Sequence, residues 1–176
     1  KENSMQIKKP RSQVDYMLRD TRSELVALSQ MADIKANILL SISSVLITIA
    51  LTQLTKPSMR LPIIILIMFL LFSIVAALLA VTPSMSLSRK QKISTKDSNF
   101  NTLFFGHYTS VPYDEYLEHM ENVMNDHNRT YEVQVREISF SGQYLKKTKF
   151  NYIKYGYFFF LVGVISSVVL YIMGMI

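Results

Sequence analysis

The chain of 176 residues is 49% apolar and only 18% charged, with a formal net charge of +6 and a mean hydropathy of +0.20. No charged residue or histidine occurs in 36–55, 61–88 or 155–176. A helix needs about 20 apolar residues to cross a hydrocarbon core, and each stretch reaches that length. These patterns exclude a soluble monomer, and the absence of cysteine from the sequence excludes disulfides and thiolate metal sites.

Residues 1–12 are polar and are predicted to form a flexible N-terminal segment. Beyond them, residues recur at alternating spacings of four and three, which is typical of a helix that packs on another helix. They are Val14, Leu18, Thr21, Leu25, Leu28 and Ala32. Because no glycine or proline interrupts 13–56, we predict one long helix, with a cytoplasmic stalk over 13–35 and a first transmembrane helix over 36–55.

The second transmembrane helix is predicted over 61–82, with Pro62 in its first turn and Pro83 just beyond its end. A cytoplasmic helical region follows over 83–154. Its last part repeats the four-three spacing and continues into a third transmembrane helix over 155–176. We therefore predict an all-α membrane protein with three transmembrane helices. The first and third extend into cytoplasmic helical stalks, and a small helical cytoplasmic insertion lies between them.

The basic residues predict the orientation in the membrane, because lysine and arginine collect on the cytoplasmic side. They are numerous before the first span and between the second and third, whereas 56–60 holds only two. We expect the N-terminus and the region over 83–154 in the cytoplasm, and the C-terminus outside. The positive charge is then explained by topology, without binding of nucleic acid.

Polar residues of the first span share one helical face, because they advance by three or four positions. Four of them, beyond Asn37, form what we call the polar face: Ser41, Ser44, Thr48 and Thr52. This face either packs against another helix or lines a water-filled path in an oligomer, and the residue types favour packing. Near the cytoplasmic end of the span, we expect a coupling role for Gln30, Asp33, Lys35 and Asn37.

The cytoplasmic region contains a candidate ligand site. Aromatic side chains can stack on a planar base, and basic side chains can neutralise a phosphate. The candidate ligand-binding residues are Phe104, Phe105, His107, Arg136, Lys146 and Lys147. Alternatively, the aromatic residues form a small core and the basic residues follow the positive-inside rule. The residues alone favour this alternative.

Nothing in the sequence indicates catalysis. The three histidines are too scattered to suggest a metal site, and no serine lies in a strand-turn-helix elbow. The five glycines form no phosphate-binding loop. We therefore expect no enzymatic activity, no metal and no cofactor.

Four segments stand out as motifs: 28–40 (LSQMADIKANILL), 101–107 (NTLFFGH), 136–138 (REI) and 144–149 (YLKKTK). They resemble the transmembrane effector family of Pycsar bacterial anti-phage defence, and the resemblance extends over nearly the whole chain from residue 14. The family implies that infection triggers a cyclase to make cyclic CMP or cyclic UMP. The effector then responds to this nucleotide by impairing the inner membrane.

The resulting hypothesis is a multi-pass protein of the bacterial inner membrane that binds a cyclic mononucleotide on its cytoplasmic side and permeabilises the bilayer. Its expected partners are the lipid bilayer, the nucleotide, further copies of itself and a functionally paired nucleotide cyclase. Because the sequence begins at Lys1, an alternative remains. The chain is then a non-conducting anchoring and oligomerisation module of a larger protein with a missing upstream domain.

Overall fold

The computed structural model describes residues 7, 9, 11–82, 94–97 and 100–174. The flexible segment predicted over 1–12 falls largely outside these residues, as does much of 83–99. Within the described residues, all regular structure is helical, and three helices are long and apolar enough to cross a membrane. The predicted fold class is therefore confirmed.

The first helix, α1 (Ser12–Gln53), has 42 residues and carries Asp15 in its first turn. A carboxylate there is stabilised by the positive end of the helix dipole. A short 3₁₀ turn (Pro57–Met59) leads into α2 (Arg60–Val81). The early position of Pro62 in α2 leaves no intrahelical hydrogen bond unmade. At the other end of α2, the Thr82 hydroxyl donates to the Leu78 carbonyl oxygen at 2.7 Å.

The remaining helices follow the 94–97 turn. A single turn of helix, α3 (Phe105–Tyr108), precedes α4 (Tyr113–Met124) and α5 (His127–Tyr144). The π-helical segment Leu145–Phe150 then joins α5 to α6 (Asn151–Met173). Helical backbone is therefore continuous over 127–173, and the π-helical segment is a feature that the sequence pattern did not predict.

The chain forms two compact units. Unit 1 comprises residues 1–27 and 84–143, and unit 2 comprises 28–83 and 144–176. Helix α1 contributes to both units, and the boundary between α5 and the π-helical segment lies close to the division between residues 143 and 144.

Unit 2 packs through small side chains. Its core consists of Ala32, Ala36, Leu39, Ala77, Ala80 and Ile153. Small residues let helix backbones approach closely, which is how helices associate where lipid removes the hydrophobic driving force. The buried hydroxyl of Ser73 on α2 donates to the carbonyl oxygen of Gly156 on α6 at 2.9 Å. The small residues of α2 and α6 thus serve packing within one chain.

Unit 1 has a separate core that includes Leu18, Phe100, Val111, Val123 and Tyr131. The Tyr131 hydroxyl donates to the carboxylate of Asp15 at 2.6 Å and so joins α5 to the first turn of α1. This hydrogen bond, followed by burial and the charge of Asp15, raises the pKa of Tyr131. Tyrosine therefore remains the hydrogen-bond donor at neutral pH.

Close packing at Gly163 gives a test of the unit 2 fold. A Cβ atom at this position would lie 2.6 Å from the Cβ of Phe69 on α2, so Gly163→Ala forces the two helices apart. We expect the free energy of unfolding to fall by about 1–3 kcal/mol. Denaturation in detergent micelles, followed by far-UV circular dichroism, measures this change.

Gly142→Ala is the matched control, because its new Cβ would meet only the Leu25 side chain at 3.8 Å. Alanine is the better helix former by about 0.5–1 kcal/mol, so this substitution should stabilise the protein. Equal effects of the two substitutions would contradict the packing derived for Gly163.

Candidate functional site

The polar face of α1 points away from the core of unit 2. All four of its members, Ser41, Ser44, Thr48 and Thr52, are exposed. The buried positions of the same helix in unit 2 are Ala32, Ala36, Leu39, Ser43 and Ala50. Packing among α1, α2 and α6 therefore leaves the polar face unused.

Three hydroxyls of the polar face bond to the helix itself. Those of Ser44, Thr48 and Thr52 donate to backbone carbonyl oxygens three or four residues earlier, at 2.8, 3.0 and 2.7 Å. Such bonds let serine and threonine lie in an apolar environment without an unpaired donor. Ser43 differs, because its hydroxyl is buried and has no hydrogen-bond partner within the described residues.

An ion pair joins α1 to the π-helical segment within unit 2. The Lys149 ammonium donates to both carboxylate oxygens of Asp33, at 2.7 and 2.8 Å, and to the Ser29 hydroxyl at 2.9 Å. The Lys149 side chain is only 15% exposed, whereas that of Asp33 is 41% exposed. The sequence indicated Asp33 but not Lys149, because their pairing depends on contact across 116 residues.

The other residues predicted for coupling have different surroundings. Gln30, Lys35 and Asn37 are exposed on α1. The backbone carbonyl oxygen of Lys35 accepts a hydrogen bond from the Tyr157 hydroxyl at 3.3 Å, which links α6 to α1. Within the described part of the chain, the Asn37 side chain has no hydrogen bond.

In unit 1, the predicted aromatic residues pack on one another. The Phe104 ring lies 4.9 Å from that of Phe140 and 5.1 Å from that of His107, measured between centroids. Phe105 contacts Phe104 but is 57% exposed. A Cβ at Gly106 would lie 2.7 Å from the Phe104 ring, so glycine permits this packing. Phe105 alone among the predicted aromatic residues is highly exposed.

A buried polar network lies beside these rings and centres on Glu137. Its carboxylate accepts hydrogen bonds from the Asn101 amide at 2.6 Å and from the Ser141 hydroxyl at 2.9 Å. The Asn101 backbone N–H donates to Nδ1 of His107 at 2.9 Å, so this nitrogen is unprotonated. The segments 101–107 and 136–138 are thus joined by hydrogen bonds. Glu137 is a structural residue that the sequence did not single out.

The predicted basic residues are divided between the units. Arg136 belongs to unit 1, where its guanidinium pairs with Glu132 at 3.2 Å and reaches the Phe100 carbonyl oxygen at 3.5 Å. Lys146 and Lys147 are exposed in the π-helical segment of unit 2. Unit 1 therefore contains four of the six predicted ligand residues, namely Phe104, Phe105, His107 and Arg136.

Residues 17–174 match the family model described as the Pycsar effector protein domain, PycTM. A helical protein with three membrane-length helices and a second, hydrogen-bonded helical unit is the class that the fold defines. Within that class, this chain belongs to the Pycsar effector family, and it therefore has a role in Pycsar anti-phage defence. Comparison with curated proteins and with solved structures gives no match.

Two histidines of unit 1, His107 and His119, determine how its stability should change at low pH. Burial lowers the pKa of His107, and Glu137 partly offsets the effect. Burial, and then the charge of Arg129, lowers the pKa of His119 below its ordinary value of 6.5, with a smaller opposing effect of Glu115. Both rings are therefore neutral in the folded protein near pH 7.

We expect unit 1 to lose stability as the pH falls below about 6.5, because the unfolded chain then binds protons that the folded rings still exclude. The loss of stability continues until the pH reaches the lowered pKa values of the two folded histidines. Below those values the two histidines cause no further loss. Titration of the histidine ring signals by NMR should place both midpoints below 6.5. Midpoints at or above that value would contradict the neutral network.

Proposed function

We propose that this protein is a membrane-disrupting effector, triggered when its cytoplasmic part binds a cyclic pyrimidine nucleotide, cyclic CMP or cyclic UMP. Activation permeabilises the bacterial inner membrane. Family membership supports the role in defence. The observation that carries the membrane step is the exposed polar face of α1.

The proposed topology follows from three membrane-length helices and the distribution of basic residues. The N-terminus and unit 1 lie in the cytoplasm, and α6 ends on the opposite side of the membrane. Unit 1 contains a buried carboxylate, Glu137, with its hydrogen-bond donors, which suits an aqueous compartment. The hydrocarbon core then surrounds the three helices of unit 2.

In that environment the polar face of α1 meets either lipid or another protein surface. Ser73, Ala76, Ala77 and Ala80 of α2 and Gly156 and Gly163 of α6 are already buried within the chain, whereas the polar face of α1 is exposed. The exposed amide of Asn37, at the cytoplasmic end of the face, has no hydrogen bond within the described residues. Association of several copies through α1 would bring these groups together around a water-filled path.

The Asp33–Lys149 pair supplies a means of control. It joins α1, which carries the polar face, to the helix that continues from α5 into α6. We infer that the pair stabilises the resting arrangement of these helices and that nucleotide binding shifts the population toward a conducting arrangement. A charge pair suits this role because loss of one partner leaves a largely buried charge.

Leakage from dye-loaded liposomes tests the function. Purified full-length protein is expected to release dye when cyclic CMP or cyclic UMP is added, but not with cyclic AMP. The double substitution Ser44→Leu, Thr48→Leu makes the polar face apolar, so it should reduce nucleotide-dependent leakage about tenfold or more without changing insertion. The fluorescence of the released dye is the measurement.

The matched control is Ile42→Leu, Ile49→Leu, which places two leucines at exposed apolar positions of the same helix. Its leakage should equal that of the unaltered protein. If inserted protein never releases dye, permeabilisation is refuted. If the polar-face variant leaks normally, α1 does not line the path.

The ion pair predicts a change in nucleotide sensitivity. Asp33→Asn removes the carboxylate from the Lys149 ammonium, which weakens the resting arrangement by about 1.5 kcal/mol. The nucleotide concentration for half-maximal leakage should therefore fall by up to about tenfold. Titration of leakage against cyclic CMP and cyclic UMP measures this shift.

Asp20→Asn on the exposed side of α1 is the control and should leave the concentration unchanged. The exchange Asp33→Lys with Lys149→Asp should restore the original sensitivity, because it rebuilds the pair with reversed charges. An unchanged or raised half-maximal concentration in Asp33→Asn would exclude a restraining role for the pair.

One observation favours a second function. The bonds of Ser44, Thr48 and Thr52 to their own helix let the polar face pack without water. The protein would then be a non-conducting anchoring and oligomerisation module of a larger protein. Stable oligomers that give no leakage with any nucleotide would support this function over the effector.

A further inference from the structure

Unit 1 contains a polar cleft apart from the aromatic cluster. Its volume is about 660 Å³, which lies within the usual range of about 300–1,000 Å³ for small-molecule sites. One face of α4 forms a wall, because positions three and four apart lie on the same side of a helix. The 94–97 turn and Arg129 of α5 complete the lining.

The 94–97 turn is held against α4 by Glu115. One carboxylate oxygen accepts hydrogen bonds from the Ser94 hydroxyl, the Thr95 hydroxyl and the Thr95 backbone N–H, at 2.8–2.9 Å. These bonds lower the pKa of Glu115, so it remains ionised and engaged with the turn. The backbone that carries Lys96 is thereby fixed at the edge of the cleft.

Two cations line the cleft, Lys96 and Arg129, and the charge of Lys96 contributes a little to the lowered pKa of Glu115. Within the described residues, neither Lys96 nor Arg129 forms an ion pair. Arg129 is close enough to His119 to help lower the pKa of that ring. His119 is itself held by the Thr102 hydroxyl, at 2.9 Å from Nε2. The cleft thus contains two cationic side chains that can bind an anion, beside the carboxylates of Glu115 and Glu118.

The same cleft also contains a carboxylate and an amide. Glu118 makes no side-chain hydrogen bond or ion pair within the described part of the chain, and the Asn122 amide donates only to the Glu118 carbonyl oxygen. A free carboxylate accepts a hydrogen bond from the amino group of cytosine, whereas the corresponding oxygen of uracil is an acceptor and is repelled. The cleft can therefore discriminate between the two pyrimidines.

A second cavity in unit 1 does not combine cations with a free carboxylate. Its volume is about 320 Å³, and its lining contains Asp15 and Tyr131 but no lysine or arginine. In the aromatic cluster, Phe104 and His107 pack on neighbouring rings, and Arg136 pairs with Glu132. Charge complementarity to a nucleotide therefore favours the cleft.

We propose that the cleft between α4, Arg129 and the 94–97 turn binds a cyclic mononucleotide, with the phosphate at Lys96 and Arg129 and the base edge at Glu118 and Asn122. The inference rests on the proposed function and specifies its ligand site. It also assigns a preference for the amino-bearing pyrimidine nucleotide, cyclic CMP, over cyclic UMP.

Binding of radiolabelled cyclic CMP to the full-length protein in detergent tests the site. Lys96→Ala and Arg129→Ala should each weaken binding about tenfold or more, because each removes a charged hydrogen-bond donor. Arg22→Ala, an exposed arginine of α1 outside the cleft, should leave the dissociation constant unchanged. Far-UV circular dichroism and the melting temperature show whether each variant is folded.

Glu118→Gln tests the base preference, since glutamine can both donate and accept. Competition by cyclic CMP and cyclic UMP should show that the ratio of their affinities falls at least several-fold in this variant. Glu121→Gln on the same helix, outside the cleft lining, should keep the original ratio. A ratio that does not change in Glu118→Gln, or a preference for cyclic UMP in the unaltered protein, overturns the assigned base preference.

The outcomes separate the site from the function. If the unaltered protein binds neither cyclic CMP nor cyclic UMP, both proposals are refuted. If it binds and folded Lys96→Ala and Arg129→Ala bind equally well, the cleft is refuted while the proposed function stands. Loss of binding confined to Phe105→Ala and Lys147→Ala would place the ligand at the residues that the sequence indicated.

Discussion

Hydrocarbon accepts helices but not unpaired polar groups, and this constraint shapes unit 2. The Ser73 hydroxyl crosses from α2 to the Gly156 carbonyl oxygen, and glycine at 163 admits the body of Phe69. Helices that pack this closely have small residues at their interface. They leave little room for larger polar groups inside the bundle. Ser44 and Thr48 instead lie outside it, each bonded to its own helix. The exposure of the polar face therefore follows from the packing of the small face of α1 against the other two helices.

Charge is confined to the ends of the spans for the same reason, and the π-helical segment determines which charges meet. Each residue of an α-helix rotates the chain by about 100°, so one additional residue in a wide turn redirects every side chain that follows. Lys149 lies within this segment and reaches Asp33 and Ser29 on α1. Because π-turns are rare and frequently found at functional sites, a contact that depends on one is well suited to regulation.

The sequence predicted the features that follow from local pattern. The spans follow from charge-free stretches, and the buried position of Leu18 follows from four-three spacing. Contacts between distant segments left no such signal: the pairing of Lys149 with Asp33 and the burial of Glu137 against Asn101 require the folded chain. The predicted ligand residues depend on both local pattern and the folded chain. Phe105 and Lys147 have side chains of a type that suits a nucleotide, but they belong to different units. Residue type identifies candidates, whereas the fold decides which of them share a site.

Unit 1 contains two kinds of polar cluster, which differ in whether their side chains already have partners. Around Glu137, the Asn101 amide and the Ser141 hydroxyl satisfy the carboxylate, and His107 accepts a backbone N–H, so these groups stabilise a unique core and have little capacity left for a ligand. In the cleft, by contrast, Glu115 holds the 94–97 turn and His119 bonds to Thr102, whereas Lys96, Glu118 and Arg129 form no ion pair within the described residues. An arriving phosphate would therefore meet two cationic donors that need not first break a salt bridge. Residues that stabilise the unit and residues that remain available for binding can thus be told apart by their partners.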